Sequence, residues 1–227
     1  MTRFRRLVLE TPEERLAASR CAVLVIDMQN DFCAPGGYVS RLGRDVSRYE
    51  ALVPRLERFI GMAREFRRPV IWIMAQYDRH LIPKPMLIRK LQTSGNGECC
   101  ASGSWGAEPF GVRPEPGDPI VVKHCYSGFY GTGLEELLDE LRVETLIFTG
   151  VQTNVCVEST LRDAHSRGLY VVVAEDCVMS HMEREHAATL STVNALFGDV
   201  LGSADIVRIW RQQPKMDEAA EPATERT

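Results

Sequence analysis

The chain has 227 residues, 44% of them hydrophobic and 26% charged, with a formal net charge of −4. That length suits one α/β domain with an adequate core, and the acidic balance gives no electrostatic basis for a DNA or RNA partner. No apolar run approaches the roughly 20 residues that span a bilayer, and the start MTRFRRLVLE lacks the apolar run and small-residue cleavage site of a secretory signal. The expectation is a cytoplasmic protein with no membrane partner. Seven cysteines without a CxxC pair fit neither a disulfide framework nor a zinc knuckle. Most of them read as small core or loop residues.

Residues 1–20 read as an extension with a short helix, because Thr11-Pro12-Glu13-Glu14 combines an N-cap, a proline at the first helical position and early acids. From residue 21 to 210, strands alternate with helices. Ala22–Asp27, Val70–Met74, Ile120–Lys123, Leu146–Thr149 and Tyr170–Ala174 are short apolar runs rich in β-branched residues. Runs apolar at nearly every position predict strands buried on both faces, as in a parallel sheet. Between them, Val46–Arg67 and Glu183–Phe197 carry helical stripes, and Leu134, Leu137, Leu138 and Leu141 share one helix face with Thr132 as N-cap. The alternation predicts an open, doubly wound, mainly parallel α/β sheet of five or six strands with helices on both faces, a three-layer α/β/α fold. Residues 211–227 are polar with two prolines and predict a disordered tail.

Ligands on such sheets bind outside the carboxyl ends of the strands. Asp27 ends the first run and Lys123 ends the third, while Cys156 follows the LIFT strand through the turn Gly150–Asn154. Taken singly, an Asp or Lys at a strand end is more often a cap or a solvated flank, and a Cys in VCVESTL is more often core. Together they make a nucleophile, a base and a cation. A helix starting near Asn154 and a nearby Lys123 predict a thiol shifted toward thiolate. The backbone amides of Gln152 and Cys156 are candidates for an oxyanion hole. No GxGxxG or GKS/T loop follows the first strand, which speaks against a nucleotide-binding domain.

The segments VLVIDMQNDF (23–32), VVKHCYSGFYGTGLEELL (121–138) and FTGVQTNVCVESTLRDAHSRGLYVVVAEDC (148–177) resemble the three signature blocks of the isochorismatase-like cysteine hydrolases. The resemblance implies that Asp27, Lys123 and Cys156 form a catalytic triad and that Val151–Gln152 is a cis peptide presenting the Gln152 amide to the oxyanion. YSGFYGT, the TNVCVESTLRD block and Gly36-Gly37-Tyr38 are most similar to ureidoacrylate amidohydrolases and N-carbamoyl amidases. This implies a cysteine-dependent amidohydrolase cleaving a C–N bond of a small ureido, N-carbamoyl or amide substrate through a thioester-type intermediate, without a cofactor. The alternatives are a nicotinamidase, maleamate or biuret type, a vinyl-ether-cleaving relative, or a catalytically idle oligomeric scaffold. The resemblance also implies a homo-oligomer, dimeric or tetrameric. Nicotinamidases carry a metal site of one Asp and histidines; Asp78 and His80 have part of that pattern but lack its second downstream His, so no metal is expected.

Phe32, Tyr126, Phe129 and Tyr130 flank the blocks and are candidate walls of a substrate pocket, as are Gln76 and Tyr77 after the second strand; core packing is an equal reading for several of them. The Gly/Pro-rich stretch Gly95–Asp118, with Trp105, reads as a lid or subunit-contact loop. Arg79, His80, Lys84 and Arg89 make the preceding loop basic, a hint of a substrate carboxylate. His165 and His181 read as surface or helix-packing residues.

Overall fold

Six strands, β1 (Cys21–Ile26), β2 (Val70–Ala75), β3 (Ile120–Lys123), β4 (Thr145–Val151), β5 (Tyr170–Met179) and β6 (Asp199–Leu201), pair in parallel in the order β3-β2-β1-β4-β5-β6. This is the arrangement of the computed structural model, which describes residues 8–16, 20–94 and 97–212. The helices are α1 (Pro12–Arg15), α2 (Asn30–Cys33), α3 (Tyr38–Arg41), α4 (Tyr49–Glu65), α5 (Lys84–Ser94), α6 (Leu134–Glu140), α7 (Glu158–Ser166), α8 (Glu183–Leu196) and α9 (Ser203–Gln212). The fold is the three-layer, doubly wound one that the alternation of runs predicts.

Period-two alternation within each strand divides the core. Cys21, Val23 and Val25 of β1 face a layer with Leu52, Leu56 and Phe59 of α4 and Ile206, Ile209 and Trp210 of α9. Ala22, Leu24 and Ile26 face the opposite layer, with Leu134 and Leu138 of α6 and Leu161 and Ala164 of α7. The Trp210 ring stacks on Phe59 at 5.5 Å, which seals the first layer. At Gly150, where φ is +97°, a Cβ would lie 2.1 Å from the Ile26 carbonyl oxygen, so only glycine lets β4 approach β1 where the site begins.

Several expectations are corrected. IVVK does not lie buried on both faces: Ile120 is 54% and Val122 41% exposed, because β3 is the edge strand and only alternate residues face the core. The stretch after β2 is not all loop, since it contains α5. Thr132 sits one residue before the N-cap, Gly133, although its hydroxyl still accepts from the Leu134 amide at 3.3 Å. The segment after Trp105 is joined to the end of β1 by backbone hydrogen bonds. The Asn30 amide donates to the Glu108 carbonyl at 3.0 Å, and the Phe110 amide to the Met28 carbonyl at 2.8 Å. α1 has the expected start, a capping box between Thr11 and Glu14. α9 carries the chain to Gln212, and the disorder expected beyond it falls on 213–227, outside the described residues. No helix among the described residues is long and apolar enough to cross a membrane.

Candidate active site

Strand order reverses between β1 and β4, and crevices at such switch points are where open α/β sheets hold ligands. Asp27 immediately follows β1, in the left-handed region at φ 52°, and its amide donates to the Ile73 carbonyl of β2. Cys156 follows β4 in a tight π-type turn, Thr153–Val157, before α7 begins at Glu158. The Gln152 carbonyl accepts from the amides of Val155 and Val157 and closes that turn, and the preceding Val151–Gln152 peptide is cis. Lys123 ends the edge strand β3, level with Ala75 of β2. Tyr77 follows β2 between them.

The three candidate residues converge, and all are buried. Lys123 Nζ lies 2.9 Å from Asp27 Oδ2, donates to Tyr77 Oη at 2.8 Å and to the Cys125 carbonyl at 3.0 Å. Tyr77 Oη is 3.7 Å from Cys156 Sγ. Beyond the ion pair, neither Asp27 oxygen has a well-directed hydrogen bond among the described residues, which leaves lone pairs open to the thiol proton.

Electrostatics here reverse one expectation. The Cys156 thiol is pushed up to about 12 rather than toward thiolate, by burial first and the Asp27 carboxylate second; Lys123 opposes both without prevailing. The turn holding the thiol is also not the regular first turn of an α-helix, which weakens the expected dipole effect. Burial likewise raises the Asp27 carboxyl, against the pull of Lys123 and Cys156. Burial disfavours charge on Lys123, yet Asp27 and the thiol more than compensate and hold its pKa above the ordinary value. The resting thiol is therefore neutral, beside the paired Asp27 and Lys123 side chains.

Buried thiols give the whole protein an alkaline weakness. Cys21 is raised to about 11 and Cys177 to about 12, both chiefly by burial, alongside Cys156 at about 12. The unfolded chain releases these protons near 9.0, whereas the folded chain retains them. Above pH 9 the unfolded state thus binds fewer protons, and stability falls as pH rises, by about 1.4 kcal/mol per pH unit per thiol. Urea midpoints measured at pH 8, 9 and 10 should decline progressively; a flat series would contradict the burial.

The other candidate residues divide. Phe32 is buried and meets Tyr77 edge-on at 6.3 Å, so it backs the wall of the site. Tyr126 is exposed, at 38%, and partial burial raises its hydroxyl pKa. Gln76 turns its side chain to Asp78 and Ser102, both at 2.9 Å. Phe129 packs in the core layer of α6 and α7, with the Arg167 guanidinium 4.7 Å from its ring centroid, and Tyr130 is 70% exposed. Asp78 accepts from Gln76 and from the Ser102 amide. A group with metal-ligand spacing does occur among the described residues, namely Asp31, Cys99 and Cys100. The Asp31 carboxylate there already accepts from the amides of Tyr38 at 2.8 Å and Cys100 at 2.6 Å.

Sequence reasoning missed three supports. Buried Gln29 donates to the carbonyls of Ala75 and Ala107 and accepts from the Ala75 amide, locking the ends of β1 and β2 together. Its place in DMQND, two residues past Asp27, is the only local signal. The Gln152 side chain accepts from the Tyr49 hydroxyl at 2.6 Å and from the His181 amide at 3.3 Å, so His181 belongs to the scaffold of the turn rather than the surface. The third is Lys90, a buried cation that nothing in the local pattern distinguishes from exposed Arg89.

Comparison with known proteins gives the family of this fold. The Isochorismatase domain model matches residues 21–205. A ureidoacrylate amidohydrolase, RutB, of Methylobacterium radiotolerans is 36% identical over 190 residues, covering 78% of this chain and 74% of that protein. Among solved structures, a cysteine hydrolase from Pseudomonas syringae superposes with a TM-score of 0.72 at 26% identity, covering 92% of this chain and 99% of its own. An N-carbamoylsarcosine amidase from Thermoplasma acidophilum does so with a TM-score of 0.65 at 27% identity, covering 81% and 96%. With its domain model spanning the whole sheet and the strand ends carrying Asp27, Lys123 and Cys156, the chain belongs to the isochorismatase family.

Proposed function

We propose that the protein is a cysteine-dependent amidohydrolase that cleaves a C–N bond of a small ureido or N-carbamoyl substrate. The observation that carries this reading is the buried thiol of Cys156 held beside the Asp27–Lys123 pair at the switch point of the sheet. Likeness to the ureidoacrylate amidohydrolase directs it to ureido compounds.

Because the thiol is neutral at rest, attack and deprotonation go together. Asp27, made more basic by burial, takes the Sγ proton as sulfur bonds to the ureido carbonyl carbon. Lys123 balances the carboxylate before the transfer and holds Tyr77 against the thiol. The oxyanion faces the backbone amides of Gln152 and Cys156; one such donor is worth about 3 kcal/mol in comparable sites. Asp27 then returns the proton to the leaving nitrogen as the C–N bond breaks. Water hydrolyses the remaining S-acyl or S-carbamoyl group, which restores the thiol and releases a carboxylic or carbamic acid. Protein groups complete each step, and no cofactor enters the balance. The enzyme works as a homo-oligomer in this reading, as the family resemblance implies.

The test is ammonia release from ureidoacrylate, N-carbamoyl amino acids, biuret, maleamate and nicotinamide by the wild type. Release from a ureido member supports the proposal. Release from maleamate or nicotinamide alone would move the protein to another amide class, and silence throughout would favour an ether-cleaving enzyme or an idle scaffold.

A further inference from the structure

The turn that carries Cys156 is gripped by α8 and the two residues before it. His181 Nδ1 lies 3.2 Å from Gln152 Oε1 and His186 Nδ1 2.8 Å from Thr153 Oγ1, while Asn154 Nδ2 donates to Met182 Sδ at 3.5 Å. On the other side of the nucleophile, the Thr189 hydroxyl donates to Glu158, the first residue of α7, at 2.6 Å. Residues 152, 153, 154 and 158 are thus fixed by a segment 28 to 33 residues downstream. None of these bonds reaches Cys156 itself; they bracket it.

The grip is tightest at the Gln152 side chain. The backbone N–H of His181 faces Oε1 at 3.3 Å, and an N–H requires an acceptor, so the orientation of this amide is fixed. The Tyr49 hydroxyl at 2.6 Å and the His181 ring must then both donate to the same oxygen, which makes the ring the Nδ1–H tautomer. Burial pushes the pKa of His181 and His186 below the ordinary value, so both rings are neutral at pH 7. Three donors converge on one buried oxygen, while Nε2 of the same amide has no partner among the described residues. A buried donor left unspent is costly to the fold and needs a reason. The Gln152 carbonyl, for its part, accepts from the amides of Val155 and Val157 at 3.0 and 3.2 Å. Backbone and side chain of Gln152 are therefore held from two directions.

We propose that His181 is a positioning residue for acyl transfer: with Tyr49, and through the Gln152 side chain, its ring N–H aims the Gln152 backbone amide at the oxyanion. This rests on the oxyanion role given to that amide above and adds the groups that set its direction. His181 acts through Gln152 and meets neither the substrate nor the thiol.

His181→Ala deletes the ring donor and leaves the backbone one, His181→Asn returns a side-chain N–H near the Nδ1 position, and Tyr49→Phe removes only a hydroxyl. Two reagents separate aim from support. p-Nitrophenyl acetate acylates Cys156 through an oxyanion: the S–C bond forms, the thiol proton passes to Asp27 and p-nitrophenolate leaves. Iodoacetamide alkylates the same sulfur by displacing iodide, with no oxyanion. His181→Ala and Tyr49→Phe should each slow the acylation burst about 3- to 10-fold, the worth of a hydrogen bond between neutral groups. Alkylation of Cys156, read by peptide mass, should stay within about twofold, and His181→Asn should bring acylation back to within about twofold of wild type. Equal slowing with both reagents would mark His181 as a support of the fold and overturn the proposal. So would no slowing, no recovery with asparagine, or a wild type that is alkylated but never acylated. Acylation that persists in Cys156→Ala would instead remove the nucleophile, and with it both the mechanism and the role of His181.

Discussion

Cys156→Ala is expected to lose turnover by on the order of 10⁴-fold or more, the usual cost of removing the nucleophile from a catalytic unit. Folding should be almost unaffected. The thiol is buried in the layer with Val157 and Leu161 and contributes a small apolar volume there, so alanine costs little packing. Removing it also takes a hydrogen-bond donor from beside Asp27, but Lys123 stays 2.9 Å from that carboxylate and keeps it paired. Ammonia release and urea unfolding, measured on the same preparations, separate the two effects. Undiminished activity would remove Cys156 from the mechanism, and a large drop in stability would mean that the thiol serves the fold.

Lys123→Met should behave in the opposite way, losing stability as well as activity. The ammonium is fully buried and lies 2.9 Å from the Asp27 carboxylate, which has no other ion-pair partner among the described residues. Breaking a buried pair from one side strands the remaining charge and costs about 3–5 kcal/mol. The pH dependence has a definite sign. Burial already raises the Asp27 carboxyl, and without Lys123 the largest opposing influence is gone. A carboxyl raised in the folded state keeps its proton after the unfolded chain has lost it, so the variant loses stability as pH rises through the folded-state value. Urea unfolding should therefore show a larger deficit at pH 8 than at pH 5. Adding Asp27→Asn should recover part of the loss, because the stranded charge disappears; strict additivity of the two substitutions would mean the pair is not coupled.

The contrast between these substitutions shows how unevenly the site could be read in advance. Asp27, Lys123 and Cys156 were legible because each sits at or just beyond a strand end, and strand ends are a local property of apolar runs. Tyr77 was legible for the same reason, two residues after β2. Phe129 and Tyr130 were not separable from Tyr126 by pattern, since neighbouring aromatics diverge on a turn: one enters the α6–α7 core and two are exposed to different degrees. Gln29 gave no signal beyond its place two residues past Asp27, because its partners Ala75 and Ala107 are 46 and 78 residues away.

By itself the sequence determined the secondary elements, the layered class and the chemical types available at the carboxyl edge of the sheet. Hydrophobic period and strand-end chemistry act between near neighbours in the chain, so a linear reading captures them. Only the tertiary structure decided that β3 is an edge, that Lys90 is buried while Arg89 is not, and that the Cys156 thiol is raised rather than lowered. Those outcomes depend on water exclusion and on charges brought together from residues 27, 77, 123 and 156. Desolvation and Coulomb interaction follow distance in space, and no spacing along the chain encodes their balance.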